Sequence, residues 1–164
     1  MAARSALIAA AALAFACAAP PRAPTPPRVS EMVASGDDQF RASQRLVMEG
    51  LDADERGDAA RAQSRYERAL QIDASNPWVY LALARHYVEA GDAGHALAHL
   101  DRAEALLDAQ PDASPGARVH CDGLRGAALA LEGNRAEANA LLDSAARSAP
   151  EVWGDGVLSA SELR

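Results

Sequence analysis

The sequence predicts an all-α protein built from three antiparallel helical hairpins, with a disordered stalk before them and a cap after them. Hydrophobic residues make up 49% of the 164-residue chain but aromatic residues only 4%, because much of the apolar share is alanine. Such a core forms by close approach of helices and suits a sheet badly. A glycine-centred pattern also recurs three times, and a proline-rich stretch precedes it.

The first sixteen residues have the features of an export signal. Arg4 supplies a short positive region, and residues 6–15 form an apolar run that is too short to cross a bilayer. Ala14 and Ala16 then place small side chains at positions −3 and −1 of a cleavage site.

Cys17 follows this site directly, which leaves two interpretations open. In the first, the pattern resembles that of bacterial lipoproteins, although Leu13 stands at −4 rather than −3, and Cys17 becomes the lipidated N-terminus. Ala18 in place of aspartate then implies sorting to the outer membrane. In the second, an ordinary signal peptidase cuts the chain and the protein is soluble in the periplasm. Either interpretation predicts a protein of the cell envelope.

Residues 17–36 are predicted to be the anchor and a linker. Five of the nine prolines fall in the sequence PPRAPTPPR, residues 20–28. Such a stretch favours extended polyproline II structure, which makes a semi-rigid spacer.

The repeat domain is predicted over 37–152 on the strength of an internal period. The same pattern surrounds each of three glycines. A small residue lies seven positions before the glycine. An alanine lies five positions after it, a large apolar residue nine positions after it and a second alanine twelve positions after it. In that order the three occurrences are Gly50, Gly57, Ala62, Tyr66 and Ala69; Ala84, Gly91, Ala96, Leu100 and Ala103; Gly126, Gly133, Ala138, Leu142 and Ala145.

A pair of antiparallel helices explains this pattern. The glycine ends the first helix in a left-handed conformation that costs other residues energy. The small residues lie where the two backbones approach most closely, and the large residue fills the groove beside them. One hairpin cannot bury its apolar face alone, so about three stacked units are needed.

The spacing resembles that of the tetratricopeptide repeat family. The three units would be 43–76, 77–110 and 119–152, and residues 153–164 would form the C-terminal cap. In units one and three, Glu49 and Arg125 replace the leucine that is usual in the family. The resemblance implies three helix-turn-helix hairpins in a short right-handed superhelix whose first helices line a concave groove.

This groove is the predicted binding site for a protein or peptide partner. Apolar side chains mixed with an arginine and carboxylates suit peptide recognition. For Trp78, packing on the preceding unit is an equally good interpretation. By the family's usage, the groove residues are Gln44, Val47, Leu51, Asp54, Glu55, Trp78, Leu81, Arg85, Val88 and Glu89.

The alternative function is that of a periplasmic structural protein that binds a metal or calcium. His95 and His99 lie one helical turn apart and are weak candidates for metal ligands. The sequence GDGVLSASELR is similar to the second half of a calcium-binding EF-hand loop, but Glu151 and Trp153 stand where the first half requires aspartates.

No catalytic motif is present, so we expect no enzymatic activity, no cofactor and no catalytic residue. Cys121 has no base beside it in a known arrangement, and burial as a small apolar residue is the preferred interpretation. The formal net charge of −7 and the lack of a basic cluster argue against nucleic acid and against direct attraction to anionic lipids. The membrane is therefore expected to be reached only through the N-terminal lipid. A homodimer through an exposed helix face is compatible with so small a core.

Overall fold

The structure is a computed structural model and describes residues 26–32, 36–109 and 115–164. Within those ranges the regular structure is entirely helical, as predicted. None of these helices is both long and apolar enough to cross a membrane. The helices are α1 (Val29–Met32), α2 (Asp38–Glu55), α3 (Ala59–Ile72), α4 (Pro77–Glu89), α5 (Ala93–Asp108), α6 (Pro115–Leu131), α7 (Arg135–Ser148), α8 (Pro150–Trp153) and α9 (Ala160–Leu163).

Six of these helices form three hairpins, α2 with α3, α4 with α5 and α6 with α7. The hairpins stack in chain order, because α3 packs on α4 and α5 packs on α6. The first helices α2, α4 and α6 also contact one another in sequence and form the inner layer. The predicted succession of three helical hairpins is confirmed.

The corner glycines have the left-handed conformation that the pattern predicts. Gly57, Gly91 and Gly133 have φ values of 75°, 76° and 85°, a region that side chains with a Cβ atom rarely adopt. The small residues of the pattern are buried at the helix contacts as well. A Cβ atom on Gly126 would lie 2.9 Å from Cγ of Leu142, so α6 and α7 meet closely here.

Side-chain caps define where several helices begin. Asn76 accepts a hydrogen bond from the amide of Trp78, and Pro77 occupies the first helical position, as predicted. The carboxylates that cap α2, α3 and α5 in the same way are those of Asp37, Asp58 and Asp92. Local sequence therefore sets the start of four of the helices.

Both departures from the family pattern are explained by ion pairs between helices. Arg125 on α6 lies 2.8 Å from a carboxylate oxygen of Asp101 and 2.9 Å from one of Glu104, both on α5. Glu49 on α2 lies 3.2 Å from the guanidinium of Arg65 on α3. Charged side chains thus join neighbouring helices at positions where the family uses leucine.

Part of the predicted linker packs onto the helical domain. Val29 is fully buried, and Pro26 and Pro27 lie against α6, where a Cβ atom on Gly116 would come within 2.9 Å of Cα of Pro26. The amide of Ser30 donates a hydrogen bond to the carbonyl of Arg164 at 2.9 Å. The packed domain therefore includes residues 26–32 of the range 17–36. The predicted signal peptide and Cys17 lie outside the described residues.

Candidate functional site

The inner face of the stacked hairpins is crossed by the last part of the chain. After α7 and the short α8, residues 154–164 turn back and carry α9 onto α2 and α4. We call residues 154–164 the crossing segment. Its turn uses Gly156 at φ 77°, and α9 begins with a capping box in which Ser159 and Glu162 each bond the other's amide.

Trp153 anchors the start of this segment on unit three. Its indole lies directly over Gly123 on α6, where a Cβ atom would come within 2.5 Å of Cε2 and Cη2 of the ring. The imidazole of His120, one turn earlier on α6, has its centroid 6.4 Å from that of the indole. Only glycine at position 123 leaves room for the ring.

The crossing segment is held at its far end by apolar burial and by charge. Leu158 and Leu163 are buried, and Arg164 pairs with Asp52 and, at 3.3 Å, with Glu55 on α2. Val157, in contrast, is exposed. The predicted C-terminal cap, residues 153–164, thus reaches back to the first hairpin through α9.

The predicted groove is consequently not an open surface. Val88 is half-buried, and Glu55 and Glu89 are the only exposed members of the predicted set. Trp78 is 4% exposed and belongs to the hydrophobic core, which settles its two interpretations in favour of packing. Seven of the predicted groove residues are buried, namely Gln44, Val47, Leu51, Asp54, Trp78, Leu81 and Arg85.

Packing between units buries Gln44 in particular. Its amide oxygen accepts a hydrogen bond of 3.1 Å from Asn76, which also donates to Ser43 at 3.1 Å. The hydroxyl of Ser43 in turn donates to the carbonyl of Ala69. Gln44 therefore joins the first unit to the start of the second rather than facing a ligand.

A buried polar network lies at the floor of the remaining groove. The carboxylate of Asp54 accepts hydrogen bonds from Tyr66 at 2.8 Å, from Arg85 at 2.5 Å and from Nδ1 of His86 at 2.8 Å. Because an ionised carboxylate only accepts, Nδ1 carries the hydrogen in the last of these. Arg85 also pairs with Glu89 at 2.8 Å.

The pKa shifts of this network indicate that it stays charged. Burial alone would raise the pKa of Asp54, but the hydrogen bond from His86 and the charge of Arg85 outweigh burial and lower it. Burial and the neighbouring Asp54 raise the pKa of the Tyr66 hydroxyl, so Tyr66 stays protonated and donates. The network thus joins units one and two by fixed charges.

Between this network and the crossing segment lies a cavity of about 510 Å³. Its volume falls within the usual range of ligand pockets. Charged and apolar side chains share its lining. The charged members are Asp54, Glu55, Arg85 and Glu89, and the larger apolar members are Val88, Leu124, Trp153, Val157 and Leu158.

The contributions of α6 and of the crossing segment to this cavity were not among the predicted groove residues. A signal for α6 was available, since the family positions used for units one and two would have indicated His120, Gly123 and Ala127 in unit three. Nothing in the local sequence indicated that Leu158 would pack across the groove.

The rings of His95 and His99, the weak candidates for metal ligands, both contact the same aromatic side chain. Both stack on Tyr87, with centroid distances of 4.9 Å and 5.4 Å. Nδ1 of His95 lies 2.7 Å from Asp92, the residue that caps α5. In the described part of the chain, no group of three or more histidine, cysteine, aspartate or glutamate side chains is arranged to hold a metal ion.

The carboxylates of the EF-hand-like sequence serve local backbone bonds. Asp155 accepts a hydrogen bond of 3.0 Å from the amide of Val157. Glu162 completes the capping box of α9 with Ser159, and Leu158 is buried. These contacts shape the crossing segment.

Cys121 is buried and forms no disulfide within the part of the chain that the structure describes, in agreement with its interpretation as a small apolar residue. Burial raises the pKa of its thiol to about 12, with smaller effects from Glu104 and Asp122. A thiol with such a pKa is not a nucleophile at neutral pH.

Comparison with known proteins agrees with this helical architecture. Residues 55–128 match the tetratricopeptide repeat family. Over 68 residues, 42% of its length, the chain is 41% identical to the cellulose synthase operon protein C of Pseudomonas fluorescens (strain SBW25). The chain spans about 5% of that relative's length. No solved structure matches the chain. The family match and the hairpins with glycine corners show that the chain contains tetratricopeptide repeats over residues 55–128.

Proposed function

We propose that this protein is a non-catalytic adaptor of the cell envelope that binds a protein partner in the groove of its first helices. Tetratricopeptide repeats are generally protein-interaction repeats. The observation that carries the proposal is the cavity of about 510 Å³ on the inner face, whose lining combines carboxylates with apolar side chains. An apolar pocket with polar groups at its border suits an anchoring side chain of a peptide.

The proposal places this adaptor in the envelope as an outer-membrane lipoprotein anchored through Cys17, where it assists the assembly of envelope machinery. The leader-like residues 1–16 and the small residues before Cys17 support this location. The relative's name refers to a cellulose synthase operon, but the similarity spans only 68 residues and about 5% of the relative's length, so we do not extend cellulose synthesis to this chain.

Crosslinking capture from envelope extracts tests the adaptor function. The mature protein should capture a defined partner, and Val88→Lys should lose it, because Val88 lines the cavity and is only half-buried. The matched control is Ala140→Lys, which adds the same charge at an exposed position of α7 outside the cavity lining. Equal capture by both variants would overturn the groove assignment.

Fractionation tests the anchor separately. Cys17→Ser should move the protein from the membrane fraction to the soluble fraction, since a lipid chain on the cysteine would be lost. The matched control is Cys121→Ser, which removes the buried thiol and should leave the protein in the membrane fraction. If Cys17→Ser stays in the membrane fraction, the lipoprotein proposal is wrong.

A further inference from the structure

The crossing segment lies on the inner face that a partner would need. Leu158, Ala160 and Leu163 are buried, and α9 rests on α2 and α4, the two helices that carry the predicted groove residues. A short amphipathic helix laid into a groove of helices is itself a mode of peptide recognition. The groove therefore already holds the crossing segment of the same chain.

Several features make this occupant removable. α9 has only four residues, and Arg164 after it is held by the amide of Ser30 and by ion pairs with Asp52 and Glu55, in which each of the three side chains is 37% to 45% exposed. Ion pairs with that exposure are weak, and a short element can open without the rest of the domain. The cavity beside the segment gives a competing chain a place to enter.

We propose that the crossing segment is an intramolecular competitor that holds the groove closed until a partner peptide of matching chemistry displaces it. This inference rests on the proposed adaptor function. The matching chemistry is that of the segment itself, two apolar side chains spaced as Leu158 and Leu163 are, followed by an arginine that reaches Asp52 and Glu55. The acidic border at Glu55 and Glu89 favours the same cationic character in a partner.

The first experiment uses a fluorescent synthetic peptide of residues 154–164 as the probe and the full mature chain as the receptor. The wild-type chain should bind the probe weakly, because the tethered copy competes at an effective concentration of about millimolar. Arg164→Glu weakens the tethered copy by charge repulsion and should raise probe affinity by about three-fold. Leu163→Ala removes a fully buried side chain and should raise it by at least about thirty-fold.

The matched control is Arg45→Glu, the same change of charge at an exposed position of α2. It should leave probe affinity at the wild-type value. Circular dichroism checks that each variant keeps its helices, and Arg164→Glu remains informative if Leu163→Ala unfolds, since it changes only partly exposed contacts. Equal probe binding by the wild type and Arg164→Glu would overturn the proposal.

Partner capture distinguishes a competitor from a merely structural cap. Arg164→Glu should capture more partner than the wild type, and excess unlabelled peptide of residues 154–164 should suppress that capture. If capture occurs but neither change affects it, the competitor proposal is wrong and the adaptor function stands. If no variant captures any partner while the probe still binds, the adaptor function is wrong and the segment remains a displaceable occupant.

Discussion

Gly50 on α2 lies against the ring of Tyr66 on α3, so closely that a Cβ atom on the glycine would fall 2.7 Å from Cδ1 and 2.8 Å from Cζ. The ring cannot move aside easily, because Tyr66 is fully buried and its hydroxyl donates to Asp54 at 2.8 Å. The close approach of the first two helices and the polar link between units one and two therefore depend on the same tyrosine.

Gly50→Ala should destabilise the fold by roughly 1–2 kcal/mol. Overpacking of a core contact costs about 1–3 kcal/mol, and the better helix propensity of alanine returns up to about 1 kcal/mol. The control is Gly94→Ala on α5, where the nearest atom to the new Cβ is a carboxylate oxygen of Asp92 at 3.8 Å. Urea denaturation should show Gly94→Ala to be neutral or slightly stabilising. A neutral Gly50→Ala would contradict the tight contact with Tyr66.

Asp54→Asn should destabilise the protein by about 3–5 kcal/mol, because the buried guanidinium of Arg85 loses its buried carboxylate partner and keeps only the exposed Glu89. Asparagine also has fewer acceptor positions for the donors of Tyr66, Arg85 and His86. The control is Asp143→Asn, which removes an exposed carboxylate on α7 and should change stability by less than about 0.5 kcal/mol. Thermal unfolding at pH 7 measures both, and similar losses in the two variants would refute the role of the network.

The lowered pKa of the Asp54 carboxylate predicts that the protein loses stability in acid. The pKa of Asp54 is lower in the folded protein than its ordinary value of 3.8, so the unfolded chain binds the proton first. Its contribution is present above about pH 4 and is lost as the pH falls through the lower folded pKa. Unfolding free energies measured from pH 5 down to pH 2 should fall more steeply for the wild type than for Asp54→Asn.

The lowered pKa of His120 predicts that stability also depends on pH in a higher pH range than for Asp54. Burial lowers its pKa from 6.5 to about 4, and the bond to the carbonyl of Pro27 and the charge of Glu162 only partly oppose this. Between those values the unfolded chain binds a proton that the folded chain does not. Stability should therefore fall as the pH drops from about 6.5 to about 4, by at most roughly 1.4 kcal/mol per pH unit from this group.

His120→Phe tests this dependence, since phenylalanine is similar in size and does not titrate. The difference in unfolding free energy between wild type and variant should shift in favour of the variant between pH 7 and pH 4. The surface variant His95→Phe, whose ring is exposed, is the comparison. If the His120→Phe difference is constant over this range, His120 is not buried in its neutral form.

Cys121 should be unreactive in the native protein. In a Cys17→Ser background it is the only thiol of the chain, because the sequence contains two cysteines. Its burial and its pKa of about 12 keep the thiolate population negligible at pH 8. Ellman's reagent should react with it only after denaturation, and rapid reaction in the native state would show that the end of α6 near Arg118 opens.

The main helices of this protein could be predicted because their signals are local and repeated. Gly57, Gly91 and Gly133 end helices through their own backbone freedom, and Asn76 with Pro77 starts one through a side-chain cap. The pattern of small and large residues also predicted correctly that α2 would meet α3 closely at Gly50 and Tyr66. Each of these signals acts within a single hairpin.

The sequence by itself therefore determined the repeat, the hairpins and the order in which they stack. Only the tertiary structure decided which groove positions are covered, because that depends on contacts between residues far apart in the chain. Arg164 reaches Asp52, and Pro27 reaches His120, through packing that no period or local motif encodes. A repeat pattern predicts which face of a helix points inward. Which residues cover that face depends on contacts between segments that are distant in the chain.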